Sequence, residues 1–237
     1  MEISKSFNTL ADINYKLDYI KIMDYKNQMV KSFLVELSKA KDQTSDSIEA
    51  YFKGLAAILF NQIDILAGKN RYSFAEIEFY YYNEEHQLVG GQYKDTYKRE
   101  KPRGCFFWHL SGIDICFDSD GKSHYGGILI RSLVKDDGSL ITGPMCCCDE
   151  LMNSCVGTGK NETPAIIPIL VDKEIESDII VPIPAKRQGI KADEEQNALP
   201  FCFYTERSSW KNHKGYNYAA CPEKRKIENN DNRQTYQ

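Results

Sequence analysis

The feature that most constrains this chain is a change of hydrophobic period near residue 73. Before it, apolar residues recur at helical spacing. Ile13, Leu17, Ile20 and Ile22, then Met29, Phe33, Leu34 and Leu37, predict helix over residues 12–42. "DQTSDS" at 42–47 reads as a turn with capping residues. "SIEAYFKGLAAILF" resumes the helix to Phe60, Asn61 and Gln62 break the run, and Ile63 to Leu66 read as a short strand ahead of Gly68. From Ser73 the pattern alternates: "SFAEIEFYYY" is a strand.

The rest of the chain keeps to strands and turns. "CFFWHLSGIDICF" and "YGGILIRSLV" each read as one strand, joined by the turn "DSDGKSH". "CCCDELMNSC" predicts a short helix after Pro144. "AIIPILV" and "DIIVPIPA" are β-prone but interrupted by proline, which suits edge strands or irregular segments. "ALPFCFYT" is a further strand. The expected fold class is α+β: a helical N-terminal extension over 1–52, a β-rich domain over 53–221 and a polar tail over 222–237.

Composition narrows the function classes. A net charge of -4 argues against a protein that coats nucleic acid through a basic surface, although a local patch is compatible with it. No run of apolar residues is long enough for a membrane span, so no membrane partner is expected. The opening "MEISKSFNTLADINYK" lacks a basic head followed by an apolar core, so the expected location is cytoplasmic. The eight cysteines then read as free thiols. Cys146, Cys147 and Cys148 are adjacent and no C-x-x-C pair occurs, so no metal and no cofactor is expected.

The residues with chemistry lie on the predicted strands. Glu76, Glu78 and Tyr80 share one face by alternation with Phe74, while Ala75, Ile77 and Phe79 take the other. Two carboxylates on one face suit acid–base work, or are ordinary charges on a solvated face. Arg131 closes the apolar run "GGILI" beside Leu129 and needs an anionic partner; Glu76, Glu78, Asp114 and Asp118 are the candidates. His86 falls in a polar loop. His109 and Ser111 alternate to one face and Asp114 to the other, which makes a local Ser-His-Asp triad a poor reading.

The order of these pieces resembles the alkyladenine (methylpurine) DNA glycosylase family, from about Leu55 to Trp210. "EIEFY" is similar to that family's Glu-x-Glu-Ala-Tyr strand, and "WHLSGIDICFD" to its Tyr-x-x-Tyr-Gly-x-x-x-Cys-x-Asn strand. "GGILIRSLV" resembles its Leu-x-Arg strand, "DGSLITGPMCCCDELM" its Gly-Pro-x-x-Leu segment, "KRQGI" its Arg-x-Gly-Ile piece, and "PFCFYTERSSW" its last strand. The resemblance implies a base-excision repair hydrolase that binds DNA and cuts the N-glycosidic bond of a flipped damaged purine. Glu78 would activate water with Arg131 positioning it, and Tyr80 and Trp108 would stack on the base. His86 and Leu129 would line the pocket. Asp118 stands where the family has a specificity Asn, and Ser111 where it inserts an aromatic wedge. These departures point equally to a non-catalytic nucleobase- or nucleic-acid-binding relative, or to single-stranded or small nucleoside substrates.

Overall fold

The computed structural model describes residues 27–89, 93, 97–155, 167–174, 178–187 and 199–206. Within them the chain is α+β. Two helices, α1 (Gln28–Ser38) and α2 (Ile48–Gln62), lead directly into strand β1 (Ile63–Ala67). The long β2 (Asn70–Asn83) follows, then β3 (Glu100–Lys101), β4 (Phe106–His109), β5 (Gly112–Cys116), β6 (Ser119–Asp120) and β7 (His124–Lys135). β8 (Leu140–Thr142), helix α3 (Pro144–Cys155), β9 (Ile169–Asp172), β10 (Ile183–Ala185) and β11 (Cys202–Tyr204) complete the order.

The main sheet has the order β10-β11-β2-β7-β5-β4, with β1 continuing from β2 to β9 and β8 added to β7. β2 and β7 form its axis. The proline-interrupted segments take the outer places, as their missing N–H groups require: β9 pairs with β1, and the three-residue β10 ends the sheet.

The core lies on the face that α1 and α2 cover. Val30, Phe33 and Leu37 of α1 are buried with Phe52, Leu55 and Leu59 of α2 against Ile77, Phe79, Ile128 and Ile130. Phe52 stacks on Phe79 at 4.6 Å and meets Phe201 edge-on at 4.9 Å. The boundary read at residues 52 and 53 therefore falls inside α2, and residues 27–62 share one core with the sheet. The Asp172 carboxylate accepts the N–H groups of Met29 and Val30 at 3.1 and 2.9 Å, satisfying donors at the start of α1 that the helix itself leaves open. The first part of the predicted helix, residues 12–26, and the tail from Pro222 lie outside the described residues.

Two local features depart from the alternation in the sequence. First, Phe106–Cys116 is not one strand. β4 and β5 form a hairpin with Leu110 and Ser111 as its turn, and His109 pairs with Gly112, whose φ of 141° suits glycine. Second, β2 and β7 each carry an extra residue. The register passes from Phe74↔Leu133 to Glu76↔Ser132 to Ile77↔Ile130, which leaves Ala75 and Arg131 unpaired. Phe74 consequently joins Ile77 and Phe79 in the core, and Ala75 packs instead with Leu140 and Tyr204.

Candidate functional site

The sheet face opposite the main core carries a buried set of charges. Glu78 is 2 % exposed and Glu76 is 5 % exposed. The bulge puts Arg131 beside both: its Nη1 donates to Glu78 Oε2 at 3.0 Å and its Nε to Glu76 Oε1 at 3.3 Å. Ser132, next on the bulged strand, donates to Glu76 Oε2 at 3.1 Å. Arg187, beyond β10, donates from Nε to Glu78 Oε1 at 3.3 Å and holds its guanidinium 5.2 Å from the centre of the Tyr80 ring. Cys202 of β11 lies opposite Glu78 in register and contacts Glu76 Oε1 at 3.5 Å.

Burial works against the charge on Arg131. The carboxylates of Glu78 and Glu76 outweigh it and hold the guanidinium above its ordinary value. Burial, reinforced by the two glutamates, pushes the Cys202 thiol well up, so its S–H stays protonated and faces Glu76.

Tyr80 links this set to a second one. Its hydroxyl donates to Asp114 Oδ1 at 2.6 Å. Arg99 Nη1 donates to Asp114 Oδ2 at 2.6 Å, with both side chains at most 1 % exposed. Arg99 also lies over the Phe107 ring at 4.5 Å. An added Cβ at Gly127 would come within 2.8 Å of Arg99 Nη1, so the bare glycine leaves room for this guanidinium. His109 Nε2 sits 3.0 Å from Asp114 Oδ2, without an aligned hydrogen bond. Its Nδ1 accepts the Ser111 N–H at 3.1 Å, which assigns the ring proton to Nε2.

The residues singled out in the sequence divide accordingly. Glu78, Arg131, Tyr80 and Leu129 come together; Leu129 is opposite both Glu78 and Asp114 in register. Trp108 does not join them. It pairs with Ile113 and projects to the α1 side, where it lines a cavity of about 320 Å³ with Val30, Leu34, Phe106 and Leu170. The hairpin accounts for this, because Phe107 and His109 take the Tyr80 side. His86 lies in the turn after β2, its N–H bonded to Asn83 Oδ1. Asn83 lies five strand positions beyond Glu78, about 16 Å at the strand rise. Asp118 is at the surface, held by the Arg103 backbone N–H at 3.0 Å and guanidinium at 2.7 Å. Partial burial raises its carboxyl, but the bonds from Arg103 outweigh it, and the net position is below the usual carboxylate range.

Arg99, the pairing of Arg187 (the Arg of "KRQGI") with Glu78, and the role of Asp114 do not follow from the sequence pattern. Asp114, a candidate partner for Arg131 and the acid of the local Ser-His-Asp triad, binds Arg99 and Tyr80 instead. Arg99 sits in a polar stretch with no periodicity to expose it, and Arg187 follows the proline-interrupted run "DIIVPIPA". Leu110 was also overlooked: at the hairpin turn beside Ser111 it is 90 % exposed. The signal was its place between His109 and Ser-Gly. Among the described residues, no group of three or more His, Cys, Asp or Glu side chains is arranged to hold a metal ion. No helix of the described residues is long and apolar enough to cross a membrane.

Comparison with known proteins adds little chemistry. No protein-family model matches the chain. An uncharacterized protein of Acanthamoeba polyphaga mimivirus is 32 % identical over 126 residues, an alignment that covers 44 % of this chain and 57 % of the viral protein. The chain thus spans little more than half the length of that relative.

Proposed function

We propose that the protein hydrolyses the N-glycosidic bond of a damaged purine in DNA, in the manner of the methylpurine DNA glycosylases that its sequence resembles. The observation that carries this reading is the buried Glu78 carboxylate, held by Arg131 on the same sheet face as the Tyr80 ring. Glu78 takes a proton from water, the water oxygen bonds to the sugar C1′, and the C1′–N bond breaks with its electron pair passing to the base. Arg131 fixes the carboxylate and Tyr80 supplies the stacking surface. Arg187 lies too close to the Tyr80 ring for a base to fit between them, so it swings aside when the base enters.

A duplex must also lose a base without collapsing. Ser111 is too small to fill the gap, and the neighbouring Leu110, exposed at the hairpin turn, has the apolar bulk that a wedge needs.

A second reading is a non-catalytic relative that binds nucleobases or nucleic acid. The position of Trp108 favours it, since that ring faces away from Tyr80. So does the engagement of both Glu78 oxygens by guanidiniums. The two readings separate on incubation with duplex and single-stranded oligonucleotides carrying alkylated or deaminated purines. Base release establishes hydrolysis and identifies the strand state. Binding without release from any substrate supports the second reading.

A further inference from the structure

The base of the β4–β5 hairpin places two cysteines face to face. Continuing the β4–β5 register by one position sets Cys105 opposite Cys116, and the Cys116 N–H donates to the Cys105 carbonyl at 2.9 Å. The chain enters through a bulge: Gly104, at φ 77°, donates its N–H to the Cys116 carbonyl at 2.8 Å. That φ favours glycine, and an added Cβ would also push against the end of the Leu34 side chain, 2.3 Å from its Cδ2. Opposed residues of an antiparallel pair have Cα atoms about 4.5–5.5 Å apart, inside the span a disulfide bridges. Cys105 is exposed and Cys116 is buried, and both are free thiols. Arg99 Nη1 approaches Cys116 Sγ at 4.0 Å while holding Asp114.

We infer that Cys105 and Cys116 form a reversible disulfide that senses thiol oxidants, a modification site separate from the proposed hydrolysis at Glu78. With a small-molecule disulfide RSSR as oxidant, the Cys105 thiolate attacks one sulfur and expels RS⁻, leaving a mixed disulfide. The Cys116 sulfur then attacks Cys105 Sγ and expels the second thiolate. The balance is two protein thiols and RSSR giving one protein disulfide and two RSH. The order follows from exposure. Burial pushes the Cys116 thiol up to about 11, partly offset by Arg99, so Cys116 is the resolving thiol and Cys105 the attacking one. The bond clamps the end of the hairpin opposite Leu110, at the sulfur that Arg99 approaches while holding Asp114.

The test incubates the folded full-length chain with oxidised glutathione, quenches with acid, alkylates the remaining thiols on unfolding and digests without reductant. The expected product is one cross-linked peptide pair joining Cys105 to Cys116, lost on reduction. Cys105→Ser, at an exposed position, abolishes it and leaves Cys116 fully alkylated. Glutathione retained on Cys105 with Cys116 recovered as a thiol overturns the inference. So does recovery of both as thiols, or a cross-link from either to a different cysteine.

Discussion

Arg131 Nη1 lies 3.0 Å from Glu78 Oε2 with both side chains largely buried, and the same guanidinium reaches Glu76 through Nε. The bulge in β7 makes this fork possible, because it turns Arg131 and Ser132 to the same side of the sheet. Arg131→Met leaves two buried carboxylates short of a counter-charge. The expected loss is about 3–5 kcal/mol of unfolding free energy, the usual cost of breaking a buried pair from one side. Urea denaturation measures it. Arg131→Lys recovers only part, since a point charge does not serve two carboxylates as a fork does.

Tyr80→Phe removes one donor from the fully buried Asp114 and leaves Arg99 in place. The expected cost is about 1–3 kcal/mol, the range for a hydrogen bond to a buried charged group. A variant as stable as the parent means that the Tyr80–Asp114 bond carries no net stabilisation.

Much of the fold was legible in the sequence. The short strand from Ile63, the proline-marked edge strands and the helix at Pro144 follow from local propensity, and the structure has all three; the switch from helix to strand falls at Gln62–Ile63, about ten residues before the change of period near residue 73. The shared face of Glu76, Glu78 and Tyr80 was legible too, because strand alternation is local. What was not legible depends on pairing. A bulge shows only against a partner strand, so Phe74 and Ala75 were assigned to the wrong faces. The turn at Leu110 and Ser111 reversed the chain, which brought His109 to Asp114 and sent Trp108 away from Tyr80. Arg99 enters from a polar segment and Arg187 from just past the edge strand, and neither place carries a signal of burial in the sequence.

Gly112 tests the hairpin directly. Its φ of 141° disfavours a side chain, and an added Cβ would lie 2.9 Å from Pro144 Cβ and 3.0 Å from Leu129 Cδ1. Gly112→Ala is expected to cost more than about 1 kcal/mol, with strain and contact acting together. Thermal denaturation checks it, and an unchanged midpoint argues against the hairpin as described.

The Lys135–Glu150 pair sets a pH dependence. Glu150 is raised by burial, but its bonds from Lys135 and Tyr72 outweigh this and hold it below its ordinary value. Lys135 is raised, chiefly by its bond to Glu150. The depressed carboxyl contributes stability above its unfolded value, lost as pH falls through the folded one. The raised ammonium contributes below its unfolded value, lost as pH rises through the folded one. Glu150→Gln is therefore expected to cost about 0.5–1 kcal/mol near neutrality for this partly exposed pair. The difference from the parent should close in acid, and again in alkali once pH has risen past the ordinary lysine value of about 10.4 and through the raised value of Lys135. A gap that persists at both extremes indicates a role for Glu150 beyond its charge.

Leu110→Asp separates duplex handling from folding. At 90 % exposure the substitution should change stability by less than about 0.5 kcal/mol. Base release from duplex substrate should fall while release from single strands stays near the parent level. Equal losses on both substrates count against a wedge at Leu110.

The most direct test of the central claim is single-turnover base release by the parent chain and by Glu78→Gln, on an oligonucleotide carrying one alkylated purine. The glutamine keeps the shape and cannot take the proton from water. The account predicts release by the parent and a drop of at least about 100-fold in the variant, the scale of a lost general base. Release at the parent rate by a folded Glu78→Gln, or none by the parent on any strand form, would contradict it.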